Sequence, residues 1–262
     1  MRTCFALHSR ANMGIADRDY TRAGYEPSQA QRAVGAMHMW SVTTWLLVIN
    51  IAMYFLSNMI VGVATLPDGR QLQYSIIKQL GSFTVVDGLY RLQVWRFITF
   101  QFLHANLSHI LFNMFTLYMF GTLIEQYLGR RRFLAFYLAS GVGGALMYVI
   151  LTLLGFFGAA SQTVAQPLVG ASAGIFGVLV AAAVIAPDAT VLIYGSIPAK
   201  LKTVAYVLLG VAVFTIFSNG FNAGGEAAHL GGAVVGFFLI RRPELLNLFE
   251  VGFEKRPRIY RH

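Results

Sequence analysis

Six apolar stretches separated by short polar or charged links set the plan of this chain: residues 41–63, 106–128, 133–156, 171–186, 203–218 and 227–240. Each reads as a helix, and the first three meet the roughly 20 apolar residues that a helix needs to cross a bilayer. The last three are shorter. The fourth opens on Ser172, within Gly170-Ala171-Ser172-Ala173-Gly174, and stops at Pro187; the sixth opens beside His229 and stops at Arg241. A polar residue heading an apolar run too short to span lies below the membrane surface. Irregular backbone at that depth is tolerated only where protein or a water-filled cavity surrounds it. The pattern therefore predicts an all-α, polytopic membrane bundle with a cavity open to one side.

Composition supports that class. The chain is 56% hydrophobic and only 12% charged, against about 25% charged in soluble domains. A formal charge of +9 would suggest nucleic acid in a soluble protein; here it reports orientation instead. Sixteen of the twenty Lys and Arg fall in residues 1–39, the Arg130-Arg131-Arg132 turn, the link with Lys200 and Lys202, and the segment from Arg241 onward. The positive-inside rule then puts both termini in the cytoplasm. No nucleic-acid partner is expected. Residues 1–40 read as a basic cytosolic tail, with a weak transit peptide or an over-extended start as the alternative for the run up to Met13. Residues 41–241 read as the helical domain, with a long outer loop at about 64–105, and 242–262 as a second basic tail. The single cysteine, Cys4, excludes an internal disulfide. His, Cys, Asp and Glu show no metal-ligand spacing, so neither metal nor cofactor is expected.

Helices two, four and six enter from the same side in this topology. At about 1.5 Å rise per residue, Ser172 stands roughly 20 Å and His229 about 18 Å above the inner ends of their helices. In an apolar layer about 30 Å thick, both lie about 10 Å below the outer surface, a common depth for a nucleophile and its base. His109 and Asn113, four residues apart, stack on one face of helix two, where each polar group costs a few kcal/mol to desolvate. A shared target accounts for both, and the natural one is the negative oxygen of an acyl-transfer intermediate.

Trp95-Arg96, the series His104, His109 and Asn113, Gly121-Thr122-Leu123-Ile124-Glu125 before Gly129, Gly170-Ala171-Ser172, and Ala228-His229-Leu230-Gly231-Gly232 together make the chain resemble the rhomboid intramembrane serine proteases over about residues 85–240. The resemblance implies a six-helix rhomboid bundle and a Ser and His dyad, with Ser172 as nucleophile and His229 as general base and then acid. It also implies an oxyanion hole of His109, Asn113 and the Ser172 amide. A six-helix plan without a seventh span resembles the bacterial members and implies a bacterial inner membrane. Ala173 departs from the family's commonest Gly-x-Ser-Gly pattern, with the glycine one place later at Gly174.

Plainer readings stand beside these. Ser172 could be a small residue permitting close helix packing, and His229 could bond a carbonyl across helices. Ala228, Gly232 and Gly236 form a four-residue stripe that brings helix six close to a neighbour. Phe176, one turn below Ser172, is placed to pack on the His229 ring and orient it without a third, acidic residue. Glu125, near the inner end of helix two, reads as a structural partner of backbone or a cation. His104 reads as a brace for the outer loop. Glu226, at the outer mouth, reads as solvated, with gating as the alternative.

The function expected is an intramembrane serine endopeptidase. Its partners are single-span or polytopic transmembrane substrates in the lipid bilayer, cut near the outer face. The rival is a catalytically silent rhomboid-like membrane-protein chaperone or quality-control factor. A small transporter is disfavoured because no internal repeat is visible. Neither the substrate nor the oligomeric state is legible in the sequence.

Overall fold

The structure is a computed structural model that describes residues 40–157, 164–193 and 196–250. The tails at 1–39 and 251–262 lie outside the described residues. Six long helices carry the fold: α1 (Val42–Met59), α2 (Leu107–Leu128), α3 (Arg130–Leu153), α4 (Ser172–Ile185), α5 (Leu201–Phe217) and α6 (Ala223–Arg241). Helices α1, α2, α3 and α6 are long and apolar enough to cross a membrane, whereas α4 and α5 are shorter apolar helices.

Two boundaries differ from the apolar pattern in ways that matter. Helix α6 starts at Ala223 and is 19 residues long, so the shortness inferred for the run holding His229 is corrected. Its first turn is built from Gly224, Gly225 and Glu226, which hydropathy alone does not count as helix. Helix α4, at 14 residues, does remain short. Helix α3 starts at Arg130 rather than 133, so the three arginines open a helix instead of forming a turn. Gly129 alone separates α2 from α3, at φ +80°, a conformation open to glycine at little cost.

The long connection after α1 is folded. It holds an antiparallel hairpin of β1 (Val61–Thr65) and β2 (Gln71–Ser75), a short helix at Ile76–Gly81 and a helical turn at Arg96–Thr99. A second hairpin, β3 (Thr190–Ile193) with β4 (Ile197–Lys200), joins α4 to α5. Residues 243–250, assigned by sequence to the terminal tail, form 3-10 turns and bury Leu246.

Helix α6 packs most extensively on α3 and α4. A Cβ on Gly232 would collide with the Ala173 carbonyl, and one on Gly236 with the Gly177 backbone. On the other side, a Cβ on Gly144 would come within 2.6 Å of the Ala228 carbonyl. Backbones this close need residues without side chains, since in lipid close packing replaces the hydrophobic drive that joins helices in water.

At the opposite end from Ser172, the buried Glu125 carboxylate accepts hydrogen bonds from the amides of Val42 and Thr43, at 2.7 and 2.8 Å, and from the Thr43 hydroxyl at 2.7 Å. These amides open α1 and have no acceptor within their own helix. The carboxylate thus ties α1 to α2 and meets the positive end of the α1 dipole.

Candidate active site

Ser172 is the first residue of α4, so its amide N–H has no acceptor within the helix. The strand of chain leading to it is pinned from outside. Phe83 and Leu168 exchange backbone hydrogen bonds of 3.0 and 2.7 Å, and the Gly170 amide donates to the Phe100 carbonyl at 3.0 Å. Gly170 sits at φ +134°, and a Cβ there would stand 2.8 Å from the His109 ring and 3.4 Å from Ser172 Oγ. Glycine is therefore required twice over, for its dihedral and for the room it leaves between the His109 ring and the serine.

A cavity of about 700 Å³ lies at this end of the bundle, and Ser172, His229, His109, Asn113 and Phe176 all line it. They come from α4, α6 and α2, whose N-terminal ends converge there. Asn113 lines the cavity, and its buried side-chain nitrogen has no hydrogen-bond partner, so a donor is left unspent beside it. The Phe176 ring is stacked on the His229 imidazole, centroids 4.2 Å apart and planes 6° apart. Ser172 and His229 line the same cavity without a hydrogen bond between them.

What His229 does bond is Glu226. Its Nδ1 lies 2.9 Å from Glu226 Oε2, with the carboxylate side chain only 20% exposed. The expectation of a solvated Glu226 is thereby corrected. In a helix beginning at Ala223, residues 226 and 229 are one turn apart on one face, and the hydropathy pattern hid this by starting the helix at 227.

The remaining sequence-singled residues support the site rather than face it. His104 is fully buried, with its ring edge-on to His109 at 5.1 Å. Burial, with smaller contributions from His109 and Lys78, pushes its imidazole down to about 3. It is therefore neutral at ordinary pH. Arg96 is buried and donates to the Gln79 and Ser82 carbonyls at 2.9 and 2.6 Å and to the Gln93 side chain at 2.6 Å. Trp95 is half exposed, and its indole N–H donates to the Leu80 carbonyl at 3.3 Å. Gly232 serves α4–α6 contact, and Glu125 lies at the far end. Gly143 and Gly144, which bring α3 against α6 beside the site, escaped the sequence reading because only the α6 stripe carried an obvious spacing.

The family model for the rhomboid domain matches residues 91–242. The chain belongs to the rhomboid family. It is a helical, multi-pass integral membrane protein. Among relatives, this rhomboid is 31% identical to Rhomboid protease GluP of Bacillus subtilis (strain 168) over 144 residues, which is 55% of this chain and 25% of that protein. It is 32% identical over 148 residues to RHOMBOID-like protein 12, mitochondrial, of Arabidopsis thaliana, covering 53% of this chain and 43% of the relative. With Rhomboid protease AarA of Providencia stuartii it shares 29% identity over 221 residues, 80% of this chain and 73% of the relative. The chain thus spans less than half the length of the first two.

Proposed function

We propose that this rhomboid is an intramembrane serine endopeptidase that cuts transmembrane helices near their outer ends through a Ser172 and His229 dyad. The observation that carries the reading is the single cavity lined by Ser172, His229, His109 and Asn113, side chains from three helices with complementary roles in acyl transfer.

His229 takes the Ser172 hydroxyl proton as Oγ attacks the scissile carbonyl carbon. The oxygen of the tetrahedral intermediate is held by Asn113, His109 and the Ser172 amide, donors aimed at charge that develops only in the transition state. His229 then hands its proton to the leaving amine. Water repeats the sequence on the acyl-enzyme and releases the second product. A regular helix hides its carbonyls in internal hydrogen bonds, so substrates carry helix-weakening residues and small side chains near the cut. They enter where α5 and the turn at 218–222 border the cavity.

All six helices cross the membrane in this reading, with both termini cytoplasmic as the Lys and Arg distribution indicates. The bacterial plasma membrane is the compartment we carry. Relatives named for mitochondria make that organelle the second reading, and fractionation of the native cell separates the two. The experiment for function is co-expression with a tagged single-span substrate. Cleavage by wild type that vanishes in Ser172→Ala and in His229→Ala is expected; cleavage that survives Ser172→Ala sinks the protease reading. A wild type that cleaves nothing yet alters the lifetime of bound membrane proteins favours the chaperone alternative.

A further inference from the structure

We infer that Glu226 is a positioning residue for His229, orienting the imidazole of the proposed Ser172 and His229 dyad. The inference rests on the protease reading above and adds a third member to it. Three observations on the page carry it. The carboxylate touches the base itself, with Oε2 at 2.9 Å from Nδ1. Both side chains are largely shielded, at 15% and 20% exposure for His229 and Glu226, so the contact is not a loose surface pairing of the kind that contributes little. The ring is also clamped on its face by Phe176, which fixes its plane while the carboxylate fixes its rotation within that plane.

The chemistry follows from the donor and acceptor inventory. A carboxylate only accepts hydrogen bonds. Held against Nδ1, it selects the tautomer in which Nδ1 carries the proton. Nε2 is then left with its lone pair, which is the state needed to take the Ser172 proton. When Nε2 receives that proton, the ring becomes a cation with a carboxylate already beside it. No proton passes to Glu226; its role is orientation and charge. Glu226 stands in the first turn of α6, where the positive end of the helix dipole favours a negative group. The facing groups are complementary as well. Around the His229 ring the titratable side chains are Glu226 from its own helix and His109 from α2, while α4 contributes the aromatic face of Phe176 and the Ser172 hydroxyl.

A purely structural role for Glu226, capping or charging the α6 terminus, predicts a different set of effects, and the test separates the two. Full-length protein in detergent is assayed for kcat and KM on a tagged single-span substrate, for the rate at which a fluorophosphonate labels Ser172, and for Tm. Glu226→Gln keeps the shape of the side chain, but its amide can donate to Nδ1 and favour the wrong tautomer. It is expected to lower kcat and the labelling rate by tenfold or more, up to the roughly 10²–10⁴-fold range for losing an acid–base partner, with KM and Tm held. Glu226→Asp retains the acid at one methylene less and recovers part of the rate. Wild-type kcat and labelling in both variants, in a protein whose Ser172→Ala form is inactive, overturns the role of Glu226 and leaves the protease reading standing. Cleavage by Ser172→Ala instead removes that reading and this inference with it.

Discussion

The imidazole of His229 lies flat on the ring of Phe176, 4.2 Å between centroids and 6° from parallel, so its ring is held by a residue of α4, the helix that also presents Ser172. Ser172 and the Phe176 ring move together on α4, whereas His229 is anchored on α6, so the stack ties the two helices at the level of the cavity.

Replacing that ring tests the clamp. Aromatic pairs of this kind contribute about 0.5–1.5 kcal/mol beyond their buried area, so Phe176→Leu should lower kcat by roughly two- to tenfold by the usual conversion of free energy to rate. The loss should appear in kcat more than in KM. Equal kcat in the variant and wild type sinks the idea that the stack orients the base.

Asn113 lines the cavity and keeps a buried side-chain nitrogen without a partner. Asn113→Ala should cost about 10²–10³ in kcat, the range for removing one oxyanion donor, and leave KM little changed. Steady-state kinetics on a single-span substrate decide it; a loss confined to KM would point to substrate binding instead.

Gly232 faces the Ala173 carbonyl with no room for a methyl group. Because both sides of this contact are backbone, neither can rotate away. Gly232→Ala should destabilise the bundle by about 1–3 kcal/mol, the usual cost of overpacking, and displace His229 from Ser172. A Tm in detergent equal to wild type is the result that rules this out.

His104 supplies a pH dependence outside the catalytic steps. Its folded-state value of about 3 lies below the ordinary 6.5, so the unfolded chain binds the extra proton between these limits. Stability is therefore highest above about pH 6.5 and falls as pH drops toward 3, by up to about 1.4 kcal/mol per pH unit. In His104→Phe this part of the acid destabilisation should disappear. Thermal unfolding of the two proteins across pH 4–8, conditions spanning the ordinary value, measures the difference, and parallel curves would refute it.

The helical class, the approximate helix spans and the residues that meet at the cavity were legible in hydropathy, helical spacing and the family motifs. Ser172 heads α4 within a residue of the apolar boundary because Gly170 and the following small residues mark the turn. What hydropathy missed lies at polar helix ends. The first turn of α6 is Ala-Gly-Gly-Glu, and an apolar window discards it, so the pairing of Glu226 with His229 went unseen. The outer loop was equally opaque. Its hairpin and its bridge from Phe83 to Leu168 depend on backbone hydrogen bonds between segments far apart in sequence, and no local spacing announces them.

The single-residue link at Gly129 bears on how a substrate enters. With no slack between them, α2 and α3 cannot slide past one another, and α3 is locked backbone to backbone against α6. His109 and Asn113 on α2 and His229 on α6 therefore belong to one stiff frame. Helix α5 packs chiefly on α6 and α4, turns Tyr206, Phe214 and Phe217 outward, and leads into a turn where Asn219 and Asn222 both adopt positive φ. The molecule is thus built as a stiff jaw holding His109, Asn113 and His229 and a lighter one at α5, so under the proposed function a change in the width between them would leave those three side chains aligned.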